Sequence, residues 1–257
     1  MKLVSEALES TIQETPFNTF SNVVLYDGNI PSPELGGNCT HWLRLMEQKV
    51  GPNQLRFVKS AGPHFTAITD DSSGIKLVDP TTLMTKPLDL GPILKDPSAQ
   101  VSVDAYPFTN GKASKVTALR PNPTKSENRL MVIKEVPDGN HYTLETQWDY
   151  SDIFTEDQLP PEAYIEQMTL KQGTLALAVL MADKTLLKIK QKIGQNEKLA
   201  IVHGGKRPFT QFREWDVESR YREIINAIAS RCNVKSRIII DNFQTAAEAY
   251  KKFTLAS

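Results

Sequence analysis

Cysteine is scarce: 257 residues carry two, Cys39 and Cys232, too few for a disulfide framework. A chain with so few thiols is expected in a reducing compartment, the cytoplasm. A surplus of charge is missing as well. Thirty Lys and Arg are matched by thirty Asp and Glu, so neither nucleic acid nor an anionic membrane is expected as a partner, since both select for a basic excess. No apolar run approaches the roughly 18 residues needed to cross a bilayer. Residues 1–11 carry Glu6 and Glu9 without an apolar stretch and do not read as a signal peptide. Histidine is sparse too, four in all. Without paired Cys and His spacings, no metal site is expected. Internal repeats and low-complexity segments are also lacking.

What is present is enough apolar material for a core, 40% of residues. Helical periodicity runs over residues 2–12 (Leu3, Val4, Ala7, Leu8, Ile12) and over 39–50 (Trp42, Leu43, Met46, Val50). Between them, residues 28–38 are a loop by composition, with Gly28, Pro31, Pro33, Gly36 and Gly37. From residue 55 the pattern turns to strands: 55–59, 65–69, 75–78, 101–105, 115–119 and 129–135. A Pro137-Asp138-Gly139-Asn140 turn then leads into a returning strand over 142–148. Residues 151–161 are polar and acidic, the best linker candidate. Beyond them come strands over 175–181, 185–189 and 199–202, and a helix capped by Asp216 that carries Tyr221, Ile224, Ile225, Ile228 and Ala229. A last helix is predicted over 245–253. Lys188, Lys190 and Lys192 alternate with Ile189 and Gln191, as a solvated strand face does. The result is an α/β (α+β) chain in three parts: a short helical N-terminal lobe over 1–52, a β-rich middle lobe over 53–150 and an α/β C-terminal lobe over 162–257.

The chemistry-bearing residues gather in the first third. Gly36-Gly37-Asn38-Cys39 precedes a predicted helix. A cysteine at a helix N-terminus sits at the positive end of the peptide dipoles, which favours thiolate, and the free N–H groups there can hold an oxyanion. His64 opens one predicted strand and Asp79 closes the next, with a hairpin turn over 70–74 between them. In an antiparallel hairpin those two ends are neighbours, so Asp79 can engage one ring nitrogen of His64 and leave the other for Cys39. Cys39, His64 and Asp79 thus form a candidate nucleophile, base and orienting carboxylate. The other histidines are weaker candidates. His41 points to a different side of the helix, His141 follows a hairpin turn and is expected to be exposed, and His203 is expected in a loop. Cys232 is expected to be a buried small residue.

These segments resemble the arylamine N-acetyltransferase family. Its nucleophile lies in Arg-Gly-Gly-x-Cys, matched in part by Gly36-Gly37-Asn38-Cys39. Its aspartate ends a Tyr-Leu-Val-Asp-like strand, here Leu77-Val78-Asp79, fifteen residues after His64 (79 − 64). Leu35 stands where that family has arginine, and His41 where it has an acidic residue. Pro80-Thr81-Thr82 replaces its glycine-rich stretch. Val78-Asp79-Pro80-Thr81 resembles instead the transglutaminase-like superfamily, which shares the papain-like core. The resemblance implies a papain-like fold and acyl transfer from a thioester, through an acyl-enzyme on Cys39, to an amine acceptor. Acyl-coenzyme A or a carrier-bound thioester would then be a co-substrate rather than a permanently bound cofactor, and an acyl carrier protein is among the implied partners. The alternative is a transglutaminase-like amidase or cysteine peptidase acting on a glutamine or peptide amide. A third possibility is a binding module that has kept the fold.

Overall fold

The computed structural model describes residues 2–26, 28–30, 32–62, 64–72, 74–123, 129–151, 153, 174–193, 198–203, 210–211 and 219–255. It is an α+β chain in two compact units. Among the described residues no helix is long and apolar enough to cross a membrane.

The first unit comprises Met1–Ile12 and Cys39–Pro160. Most of α1 (Lys2–Glu14) and all of α3 (Cys39–Val50) supply its helices. Every apolar residue that the sequence pattern assigned to one side of α3 is buried: Trp42, Leu43, Met46 and Val50, together with Cys39. The helix lies on the strands that follow it, packing on β3 (Phe65–Asp71) and on the 3-10 turn Pro80–Thr82. The sequence pattern alone places it in an N-terminal lobe over 1–52. Contacts rather than chain order decide membership, and residues 13–38 belong to the second unit.

Two four-stranded antiparallel sheets complete the first unit. One runs β2 (Arg56–Lys59), β3, β4 (Gly74–Val78), β5 (Leu88–Asp89). The other runs β6 (Gln100–Thr109), β7 (Lys112–Leu119), β8 (Leu130–Asp138), β9 (His141–Tyr150). In β8 buried and partly exposed residues alternate from Leu130 to Val136, the period-2 signature of a sheet with one covered face. In β3 every residue from Phe65 to Thr69 is buried, so that strand is covered on both faces. Among the described residues, backbone hydrogen bonds join the sheets at two places. Leu83 and Thr85 exchange backbone hydrogen bonds with β6, Tyr106 N–H to the Leu83 carbonyl and Thr85 N–H to the Asp104 carbonyl, both 2.9 Å. At the other place Ala61 N–H donates to the Asp149 carbonyl at 2.7 Å. A short helix after β5, α4 (Gly91–Lys95), escaped the sequence pattern because five residues carry too little periodicity.

The second unit comprises Gln13–Asn38 and Pro161–Ser257. Its sheet runs β1 (Phe17–Asn18), β10 (Thr174–Leu180), β11 (Leu186–Lys192), β12 (Lys198–His203), β13 (Thr210–Gln211). Helices α2 (Ser21–Tyr26), α5 (Ser219–Arg231) and α6 (Ser236–Leu255) accompany it. Its core gathers Phe20, Val23 and Val24 with Leu177, Ile189, Ile228 and Phe243. Helix α6 begins well before the predicted residue 245. The β-branched run Ile238-Ile239-Ile240 disfavours helix locally, but burial of Ile239, Phe243, Ala246, Ala247 and Tyr250 at helical spacing outweighs that preference. His203 ends β12 and pairs in register with Leu187, so it is not a loop residue. The expected linker over 151–161, apart from Ser151 and Ile153, lies outside the described residues, as does the expected cap Asp216.

Buried Asn18 organises the N-terminal part of this unit. Its side-chain oxygen accepts from Ser21 N–H at 2.8 Å and Ser21 Oγ at 2.7 Å, and its amide donates to the Leu35 carbonyl at 2.7 Å. Its own N–H donates to the Gly37 carbonyl at 2.9 Å. Gly36, between those two carbonyls, has φ 69° and ψ −141°, a region open to glycine almost alone. A Cβ there would lie 1.9 Å from the Pro16 carbonyl oxygen. Gly36→Ala is therefore expected to destabilise the protein by at least about 2 kcal/mol, which urea unfolding measures. A midpoint within error of wild type would contradict this packing.

Candidate active site

The three residues singled out by sequence meet within the first unit. Cys39 is the first residue of α3 and 5% exposed. His64 immediately precedes β3 and Asp79 immediately follows β4; both are buried. His64 Nε2 and Asp79 Oδ2 are 2.7 Å apart. Cys39 lies close enough to the same ring to favour its charged form. With Nε2 engaged by the carboxylate, Nδ1 is the nitrogen left for the thiol.

The register explains why Asp79 and not a later residue serves His64. Ala67 pairs with Val78 and Ile68 with Leu77, and continuing that ladder would set Thr81 across from His64. The chain leaves the ladder first. Pro80 has no N–H to donate and starts a 3-10 turn. Asp79 caps that turn: its Oδ1 accepts from Thr81 N–H at 3.0 Å and from Thr81 Oγ1 at 2.7 Å. With Oδ1 held by Thr81, Oδ2 faces His64 as a diagonal neighbour. The Asp-Pro-Thr sequence thus aims the carboxylate. Thr81 Oγ1 also lies 3.4 Å from His64 Nε2. On the far side the turn ends at Leu83, in the left-handed region at φ 60°, where its N–H bonds the Pro80 carbonyl at 2.9 Å.

The electrostatics follow from this placement. Burial alone would push the His64 pKa below its ordinary 6.5. The Asp79 charge and hydrogen bond, with a smaller contribution from nearby Cys39, override it and raise the pKa to about 10. The ring is therefore imidazolium at neutral pH. One wall comes from the second sheet: the Trp148 ring, on β9, lies 4.5 Å from the His64 ring centroid at an interplanar angle of 31°.

The sequence pattern brings Cys39, His64 and Asp79 together but does not reveal Trp148 or the anchoring role of Thr81. Nothing along the chain distinguishes Trp148 from any aromatic in an alternating strand, and the pairing that delivers it spans two sheets. The remaining candidates lie elsewhere. His41 is exposed on α3 and His141 is exposed at the start of β9. Cys232 is buried in the second unit, and burial pushes its thiol up to about 11. Among the described residues no group of three His, Cys, Asp or Glu is placed to hold a metal ion. No family model, curated protein or solved structure matches the chain.

The His64 pKa has a direct consequence. The folded value exceeds the unfolded one, so the stability this histidine contributes is whole below about pH 6.5 and is lost as pH rises through about 10. NMR of the ring nitrogens should show His64 as imidazolium at pH 8. In Asp79→Asn, burial loses its main opponent and the ring should be neutral at that pH, with a flatter fall of stability from pH 7 to 10. An imidazolium that persists at pH 8 in Asp79→Asn would remove Asp79 as the cause.

Proposed function

We propose that this chain is a cysteine-dependent acyl-transfer enzyme of papain-like architecture, with Cys39 as nucleophile, His64 as proton carrier and Asp79 as orienting carboxylate. The supporting observation is the buried line Cys39–His64–Asp79, with both Asp79 oxygens committed and His64 held as a cation. A buried cation beside a thiol favours the thiolate form of the pair.

In the proposed cycle the Cys39 sulfur attacks the carbonyl carbon of a thioester. The S–C bond forms, and the carbonyl oxygen takes negative charge facing the N–H groups of the first turn of α3. The intermediate collapses, the bond to the donor's sulfur breaks, and the leaving thiolate takes the proton from His64. An amine then attacks the acyl-enzyme and passes its proton to His64. Cys39 leaves as thiolate and an amide is released. Thioester and amine give amide and thiol, with the protein returned unchanged. Acyl-coenzyme A or a carrier-bound acyl group fits as donor, as the resemblance to arylamine N-acetyltransferases suggests. Asp79 keeps the imidazole in one orientation through both proton transfers, and Thr81 keeps Asp79 from turning.

The covalent intermediate tests this. Incubation with a panel of acyl-coenzyme A and carrier-bound thioesters, without amine, is expected to leave one acyl group on Cys39, seen by intact-protein mass spectrometry and removed by hydroxylamine. Cys39→Ser should lose it, and His64→Ala should form it at least about 100-fold more slowly. No adduct across the panel would overturn the thioester donor. An adduct from a glutamine peptide with release of ammonia would put a transglutaminase-like amidase in its place.

A further inference from the structure

Ser60 directly follows β2 and opens the connection over 60–64 that leads to His64 and β3. It is buried, at 4% exposed. A serine hydroxyl has one proton to give and two lone pairs to receive, and all are used inside this connection. Ser60 Oγ accepts from Gly62 N–H at 3.2 Å and from His64 N–H at 3.3 Å, and it donates to the Gly62 carbonyl at 3.1 Å. The main chain adds a further bond, Ser60 N–H to the His64 carbonyl at 2.8 Å. Both backbone polar groups of His64 are therefore held by one residue. The connection is also fastened outward: Ala61 N–H bonds the carbonyl of Asp149, the neighbour of Trp148, whose ring packs on His64.

With its N–H and carbonyl fixed, the side-chain torsions of His64 have a set origin from which to place the ring. The ring has two close partners, Asp79 Oδ2 at 2.7 Å from Nε2 and the Trp148 ring at 4.5 Å between centroids. Both act on the imidazole, and neither fixes the main chain that carries it. Ala61 and Gly62 are exposed, so side-chain packing gives this connection little support and the interior hydroxyl takes that part. The charged or titratable groups beside the ring are Asp79 from the end of β4 and Cys39 from α3. Ser60 carries no charge of its own, so it acts on the His64 proton through where the ring lies.

We propose that Ser60 is a positioning residue for His64: its hydroxyl holds the main chain where the imidazole reaches the Asp79 carboxylate and stays beside the Cys39 thiol. The role rests on Cys39 and His64 acting as nucleophile and proton carrier. A displacement of about 1 Å in a supporting segment is enough to cost a site much of its rate, and the bonds Ser60 makes are the ones that resist such a displacement here.

Ser60→Ala removes the hydroxyl without adding bulk. Two readouts follow the position of the ring: the pH midpoint of the His64 nitrogens by NMR, and the rate at which iodoacetamide alkylates the Cys39 sulfur at pH 7. In Ser60→Ala the midpoint should fall by about 1 or more, and alkylation should slow at least about tenfold as the thiolate loses its imidazolium. Ser60→Thr keeps the hydroxyl and should hold both readouts near wild type. Ser60→Val has the shape of Ser60→Thr without the hydroxyl and should behave as Ser60→Ala; this pair decides the matter if Ser60→Ala does not fold. A lowered thermal midpoint with neither readout moved would reduce Ser60 to a support of the turn and overturn the positioning role. Equal behaviour of the Thr and Val variants would overturn it as well, since the hydroxyl would not be the cause. Neither readout uses an acyl donor. Wild type that never forms an acyl-enzyme, with both readouts moving as stated, would overturn the acyl-transfer reading and support Ser60 as the residue that seats His64.

Discussion

The chemistry proposed for the first unit depends on a single hydrogen bond: His64 Nε2 to Asp79 Oδ2, 2.7 Å long and shut away from water. In water such a contact would be worth little, because solvent screens the charges and competes for the donor. Here burial acts on both partners. It raises the cost of leaving either charge alone and strengthens the attraction between them. That balance is why burial, which by itself opposes a charged imidazole, does not prevail, and why His64 holds its proton to about pH 10. A histidine that holds a proton at neutral pH, next to a thiol, can hand it to a leaving group without waiting for solvent.

Much of the local structure reads as support for that bond. The ladder between β3 and β4 brings the two residues to the same end of the hairpin, and Pro80 takes the chain out of the ladder at the point where Asp79 can turn toward the ring. Thr81 occupies the other carboxylate oxygen, so the acid cannot rotate away. Helix α3, which begins at Cys39, lies on β3 and on the turn that carries Thr81. Trp148 covers the ring from the second sheet, and the Ala61 to Asp149 bond ties that sheet to the turn before His64. Each support can be weakened alone, but each acts through the position of one imidazole.

How far this was legible from the chain depends on the range of the interaction. The helix beginning at Cys39 was readable because its apolar spacing is periodic and glycines precede it. The meeting of His64 and Asp79 was readable because a hairpin needs only nearest neighbours in sequence. Trp148 was not, because β9 reaches His64 through pairings that join two sheets, and no local pattern encodes which strand end meets which turn. The anchoring by Thr81 was half visible as an Asp-Pro-Thr motif, though its geometry depends on where the ladder ends. Helix α6 was shortened by local propensity that its burial overrides. The lobe boundary at residue 52 fell where the composition changes, whereas β1 pairs with β10, Phe17 opposite Ala178, and draws residues 13–38 into the second unit.

The two cysteines supply an internal comparison. Cys39 and Cys232 are 5% and 7% exposed, so accessibility does not separate them. What separates them is that Cys39 lies near a charged imidazole, while burial holds the Cys232 thiol up near 11. Limiting iodoacetamide at pH 7, followed by peptide mapping, therefore reads the environment and not the exposure of each thiol. Labelling should fall on Cys39 at least about tenfold faster than on Cys232, and His64→Ala should erase that preference. Equal labelling of the two in the native protein, or faster labelling of Cys232, would contradict a Cys39 activated by His64.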